Sequence, residues 1–171
     1  KMADKKSEDL EYRCGFVALL GRPNVGKSSL INTLLKEKVA AVSSKPQTTR
    51  NAIRCILTTE KEQIIFVDTP GIHKPKNVLG DYMVNEAGKA LAQVDLICFV
   101  VEAGDSRIGE EEELIIEILS KCGLPIVLAV NKVDKLSDPG FFWKTVEMYE
   151  TRIMPAAVVP ISAKKGTNMD V

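Results

Sequence analysis

A chain of 171 residues with 45% apolar and 27% charged content has room for one α/β core and little else. Lysine plus arginine (23) balances aspartate plus glutamate (23), so the net positive footprint of a nucleic-acid binder is missing. The longest apolar runs are only strand-length, which argues against a transmembrane segment.

Residues 1–11 are charged and poor in apolar side chains, and read as a flexible tail. No hydrophobic region follows their basic residues, so they do not form a signal peptide. Lys1 ahead of Met2 reads as a cloning remnant. The apolar run 15–20 then suits a buried strand, and Leu30, Ile31, Leu34 and Leu35 recur at helical spacing over 27–36. Between them lies Gly21-Arg22-Pro23-Asn24-Val25-Gly26-Lys27-Ser28, of the form G-x-x-x-x-G-K-[ST]. Its glycines let successive N–H groups converge on a polyanion at a helix N-terminus, where the dipole favours negative charge. Lys27 adds a cation for the outer phosphates, and the Ser28 hydroxyl is placed to ligate Mg²⁺. Strand, glycine-bounded turn and helix together imply a nucleoside triphosphate site.

Gln47-Thr48-Thr49-Arg50 follows in a polar loop, where either threonine could close over Mg²⁺ and a terminal phosphate. Strands at 52–58 and 63–67, joined by residues 59–62, read as a hairpin, so one strand should be antiparallel. Asp68-Thr69-Pro70-Gly71 ends the second of these, at the carboxyl end where α/β sheets bind ligands. Asp68 would support the Mg²⁺ shell and the Gly71 N–H the terminal phosphate. A helix near 82–92 and a strand near 95–101 come next. The helix at 110–121 opens with Glu110 to Glu113, whose charges offset the helix dipole, and its apolar face is Leu114, Ile115, Ile118 and Leu119.

The strand at 126–130 leads into Asn131-Lys132-Val133-Asp134. A carboxylate here can accept both the N1–H and the exocyclic amine of guanine, a donor pair that adenine lacks, so Asp134 would select guanine. Asn131 can bridge base and loops, and the Lys132 stem can lie along the ring face. A helix at 141–151 and a strand at 157–161 precede Ser162-Ala163-Lys164, whose Ala163 N–H is available to the guanine carbonyl. Asn168 could cap a helix starting near Met169. Cys14, Cys55, Cys98 and Cys122 lack metal-ligand spacing and read as buried thiols of a reducing cytosol. The fold expected is a P-loop NTPase α/β fold, a mixed, mostly parallel sheet of about six strands with helices on both faces.

The order of these motifs, with Gly21-Arg-Pro-Asn-Val-Gly-Lys-Ser-Ser, Pro46-Gln-Thr-Thr-Arg, Asp68-Thr-Pro-Gly-Ile-His-Lys-Pro-Lys, Leu79-Gly-Asp-Tyr-Met and Val100-Val-Glu, resembles the bacterial Era GTPases. The resemblance runs from about residue 15 to the end. It implies a G domain over 12–171 that lacks its last helix, with an RNA-binding KH domain beyond this chain. It implies GTP and GDP as ligands, Mg²⁺ as cofactor, and action on the small ribosomal subunit and its 16S-type rRNA through that KH domain. A cytoplasmic location is implied too, with peripheral association at the inner membrane left open. It favours Thr49 over Thr48 as the Mg²⁺ ligand, because Thr49 precedes the arginine.

Motifs and resemblance together assign nucleotide contacts to Asn24, Val25, Gly26, Lys27, Ser28, Ser29, Asp68, Gly71, Asn131, Lys132, Asp134, Ser162, Ala163 and Lys164. They assign Mg²⁺ to Ser28, Thr49 and Asp68, and catalysis to Lys27, Thr49, Gly71 and Asn24. Related GTPases use the asparagine matching Asn24 to hold K⁺; a turn residue tolerating an unusual backbone angle is the competing reading. Ile72 stands where many signalling GTPases carry a glutamine that orients the attacking water, so intrinsic hydrolysis should be slow. The sole histidine, His73, reads as a loop residue rather than a catalytic one. The other functional class is a regulatory G domain of a larger protein, such as a tandem GTPase or a ferrous-iron transporter. The segment His73-Lys-Pro-Lys and the intact Asn-Lys-Val-Asp argue against it.

Overall fold

A computed structural model describes residues 12–37, 40–41, 52–68, 88–89 and 91–169. Strand β1 (Arg13–Leu20) runs into helix α1 (Lys27–Glu37) and the short β2 (Ala40–Ala41), followed by β3 (Ala52–Thr58) and β4 (Glu62–Asp68). Then come β5 (Leu96–Glu102), α2 (Glu110–Cys122), β6 (Ile126–Asn131), a single 3-10 turn (Val133–Lys135), α3 (Gly140–Ile153) and β7 (Ala157–Pro160). The sheet order is β2-β3-β4-β1-β5-β6-β7. Strand β1 pairs in parallel with β4 and β5, and β5, β6 and β7 continue in parallel. Only β3 runs against the rest, as the hairpin required. Its turn is closed by Thr59, whose hydroxyl accepts the N–H of Lys61 and of Glu62.

Among the described residues the sheet has seven strands, against about six expected. The addition is β2, whose two residues give no periodicity to read. The helix anticipated at 82–92 lies largely outside the described residues.

Alternation along the strands divides the apolar side chains between two layers. One face carries Ile97, Phe99, Val101, Leu128 and Val130 beneath α2 and α3, with Phe99 and Tyr149 meeting edge to face at 5.6 Å. The other carries Leu19, Val100 and Ala129 beneath Leu30, Ile31 and Leu34 of α1. The expected apolar face of α2 holds, extended by Ile116. One member of the acidic run departs from expectation: Glu112 is buried at 2% exposure rather than solvated.

The cysteines also depart in part. Cys55 is buried, Cys98 and Cys122 are half-buried, and Cys14 is exposed near the strand-starting edge of β1. Asn168 is not in the extended conformation of a helix cap. Its φ is 55°, and its amide donates to the Pro160 carbonyl at 2.8 Å, folding the loop back under β7. Met169 is buried beside it on the α1 face.

Because β1 lies between β4 and β5, the chain leaves the sheet in opposite directions on its two sides. Such a reversal opens a crevice at the carboxyl ends of the strands, where α/β folds hold ligands. The carboxyl ends of β1, β4, β6 and β7 all lie there.

Candidate nucleotide-binding site

The phosphate loop is shaped by two glycines. Gly21 has φ +146°, and a Cβ there would stand 2.3 Å from the Val100 carbonyl oxygen. Gly26 has φ +106°, and its Cβ would stand 2.2 Å from Asn131 Nδ2. Any larger residue at either position would push the loop off the strand ends. Val25 anchors the loop in the core, while Asn24 is exposed in the left-handed region at φ 66°. The Lys27 ammonium donates to the carbonyls of Gly21 (2.6 Å) and Arg22 (2.8 Å), which arches it back over the loop. Ser28 and Ser29 are exposed in the first turn of α1. That turn holds no acidic side chain, so the positive end of the helix dipole is left for an anion.

The base loop is tied to the phosphate loop by a buried amide. Asn131, 2% exposed, donates through Nδ2 to the Val25 carbonyl at 2.8 Å and accepts the Ala163 N–H on Oδ1 at 2.9 Å. Asn131 thus ties the base loop to the phosphate loop and to the segment after β7. The Ala163 N–H, expected to meet a guanine carbonyl, donates to Asn131 here. Asp134 is exposed in the 3-10 turn, and buried Ser162 donates its hydroxyl to Asp134 Oδ1 at 2.6 Å. That bond, opposed by desolvation and reinforced by the Asp134 backbone, Lys165 and Lys164, holds the carboxyl below its ordinary value. Asp134 therefore stays an ionised acceptor at neutral pH, with Oδ1 oriented by Ser162.

Between the two loops lies an open cleft of about 430 Å³, lined in part by Gly26, Ser29, Lys132, Asp134, Ala163 and Lys164. That volume falls in the usual range of roughly 300–1,000 Å³ for small-molecule sites. Asp68 closes β4 beside β1, on the phosphate-loop side of the crevice. Thr48, Thr49, Gly71, Ile72 and His73 lie outside the described residues.

A charged cluster behind the loops was not read from the sequence. Arg22 donates from Nε to Glu112 Oε1 at 3.1 Å and from Nη2 to Asp105 Oδ2 at 2.7 Å. Burial works to lower the Arg22 guanidinium, but Asp105 and Glu112 outweigh it and hold it above its ordinary value. Glu112 also accepts the Tyr149 hydroxyl at 3.0 Å and the Gly109 N–H at 2.9 Å, the second being the reach-back bond of a capping box. Glu102, at the end of β5, accepts the Lys132 ammonium at 2.6 Å. The one sequence clue was position. Arg22 lies inside the phosphate-loop motif, and Glu102 ends an apolar strand on a charge.

Glycine-shaped phosphate loop, helix N-terminus and a carboxylate-bearing base loop at one crevice define a P-loop nucleotide-binding domain. Residues 16–132 match the family model described as "50S ribosome-binding GTPase", and the chain belongs to that family. It is 49% identical to GTPase Era of Clostridioides difficile (strain 630) over 159 residues, covering 93% of this chain and 53% of that protein. Over 162 residues it is 51% identical to GTPase Era of Caldanaerobacter subterraneus subsp. tengcongensis, covering 95% and 54%. The chain thus spans about half the length of the curated relatives it matches.

Among solved structures it is similar to Era in complex with MgGDPNP and nucleotides 1506–1542 of 16S ribosomal RNA. The TM-score is 0.70 at 37% identity, over 94% of this chain and 54% of that one. A tyrosine-to-alanine variant of Aquifex aeolicus Era bound to GDP·AlF4⁻ gives 0.67 at 37% identity, over 92% and 54%. The G domain of the T. maritima FeoB iron transporter, at 24% identity and a TM-score of 0.58, shares the fold alone.

Proposed function

We propose that this chain is the G domain of an Era-like GTPase, which binds GTP and GDP with Mg²⁺ and hydrolyses GTP slowly. The observation that carries the reading is the pairing across one cleft of an ionised, Ser162-oriented Asp134 with the Lys27 phosphate loop. Asp134 accepts the two guanine donors, and the Lys132 stem covers the ring. Lys27 and the N-terminus of α1 neutralise the phosphates, with the loop amides from Asn24 to Ser29 around them. Lys164 lines the base side of the cleft.

The oxygen donors present suit a hard cation. Ser28 is exposed at the start of α1, and Asp68 ends the strand next to β1. Mg²⁺ characteristically takes one or two such protein ligands together with phosphates. Ser28, Asp68 and Thr49 would hold it, and when bound it would neutralise charge on the phosphates. Gly71 would add an N–H to the terminal phosphate. Asn24 would hold K⁺ near the bridging oxygens, a role its exposure permits.

The parent protein acts, on this reading, in the cytoplasm on the small ribosomal subunit and in rRNA processing. The complex of a 37%-identical Era with 16S rRNA supports that direction. RNA contact belongs to a KH domain outside this chain, and a further helix covers the α1 face of the sheet. The half-buried row Ile64, Val17, Cys98 and Val159 on that face fits such a cover.

Titration with GDP, GTP, ATP and xanthosine triphosphate tests the nucleotide reading. Two hydrogen bonds to a charged acceptor are worth about 1.5–3 kcal/mol each. Asp134→Asn is therefore expected to lose GTP and gain xanthosine triphosphate, whose C2 carbonyl matches the new amide. Near-normal GTP affinity in that variant overturns the assignment.

A further inference from the structure

Lys132 stands in the left-handed region at φ 67°, which turns its side chain back toward the end of β5. There its ammonium meets Glu102 Oε2 at 2.6 Å, and the same oxygen lies 3.6 Å from Arg22 Nη2. Arg22 is engaged more closely by Asp105 and Glu112, at 2.7 and 3.1 Å. The short bond goes to Lys132. Both side chains are about one-fifth exposed (22% and 23%), so the pair is shielded from much of the solvent screening that weakens surface ion pairs. A lysine stem left free would sample many rotamers and lose them when a ring settled on it.

We propose that Glu102 is a positioning residue for the base site, fixing the Lys132 stem in the ring-covering arrangement before nucleotide arrives. This rests on the guanine-nucleotide reading above. Glu102 touches neither base nor phosphate in it. Its effect is pre-organisation, since ordering one long side chain in advance is worth roughly two- to twelve-fold in affinity. Removing it is expected to speed nucleotide release rather than slow capture.

The test uses the whole chain, a fluorescent GDP analogue and GTP turnover. Wild type must first bind GDP; if it does not, the nucleotide reading fails and the variants are not the cause. Glu102→Gln is expected to raise the GDP Kd about ten-fold, through faster dissociation, with kcat at saturating GTP within two-fold of wild type. Glu102→Asp keeps the charge but withdraws it by one methylene, and is expected to behave like Glu102→Gln. On a Lys132→Ala background, Glu102→Gln should add less than two-fold. Unchanged affinity, a full penalty persisting without Lys132, or kcat falling in step with affinity each overturns the proposal. Failure of both Glu102 variants to fold overturns it as well, because the carboxylate would then serve the fold.

Discussion

Asn131 Nδ2 lies 2.8 Å from the Val25 carbonyl oxygen, a buried hydrogen bond joining loops 106 residues apart in sequence. The other end of the same amide accepts the Ala163 N–H, so one side chain pins three segments around the cleft. Asn131→Ala would leave a buried carbonyl and a buried N–H without partners, at about 1–3 kcal/mol for each. Urea unfolding should show a lower midpoint with an unchanged slope, the sign of lost stability without a change in compactness. GDP affinity should fall together with it. A variant that melts like wild type would mean that water replaces the amide at no cost.

The Ser162–Asp134 bond gives a pH dependence with a definite sign. Asp134 is held below its ordinary value first by the Ser162 hydroxyl, with Lys165 and Lys164 adding smaller help. A lowered carboxyl keeps its charge above the ordinary carboxylate range and loses it only as pH falls through the lowered value. Guanine affinity resting on that charge should therefore persist into mild acid. Ser162→Ala should move the acid midpoint of GDP binding to higher pH and leave the neutral-pH charge state intact. GDP titrations at stepped pH check this, and identical midpoints in the two proteins would remove Ser162 from the account.

How much of this was legible follows from where each constraint lives. The phosphate loop and the Asn131–Asp134 loop could be read because their chemistry is written in contiguous residues after apolar runs. The mostly parallel sheet with one antiparallel strand followed from helix-length spacers between parallel strands and the short Thr59–Glu62 turn between antiparallel ones, whereas the order of the strands came only with the fold. Glu112 could not be read that way. In sequence it is one of four glutamates opening a helix, and only the fold brings Arg22 and Tyr149 onto it. The Ala163–Asn131 bond was hidden for the same reason, since donor and acceptor lie 32 residues apart in sequence. Lys132 gave no hint of its left-handed backbone, a conformation more often taken by glycine or asparagine.

Asn24 has the left-handed backbone that a turn role requires, and an exposed side chain that a K⁺ role requires. The two can be separated by substitution. Asn24→Gly keeps the turn and removes the amide, whereas Asn24→Ala adds about 1–2 kcal/mol of backbone strain as well. If Asn24 holds K⁺, wild-type hydrolysis should be faster in KCl than in NaCl at equal ionic strength. Asn24→Gly should erase that difference while GDP binding survives. Wild-type turnover indifferent to the exchange of cations would take K⁺ out of the mechanism and leave the turn role alone.

The Glu112 cluster should behave as one energetic unit. Its carboxylate is almost fully buried and is satisfied by Arg22, Tyr149 and the Gly109 N–H. Tyr149→Phe removes one hydrogen bond to a charged group, at about 1.5–3 kcal/mol. Arg22→Ala strands the buried carboxylate without its cation; breaking fully buried pairs costs about 3–5 kcal/mol. Arg22 is partly exposed, with 28% of its side chain accessible, so the lower end of that range is expected. Either loss is large against the roughly 5–15 kcal/mol that holds a whole domain together. Because both changes act on one carboxylate, the double variant should lose less or more than the two singles combined, by at least about 0.5 kcal/mol. Glu112→Gln should remove most of that coupling, since the charge that Arg22 answers would be gone. Urea melts of the four proteins in the cycle, repeated on the Glu112→Gln background, give the comparison. Simple additivity would mean that Arg22 and Tyr149 stabilise the fold independently and that Glu112 does not join them.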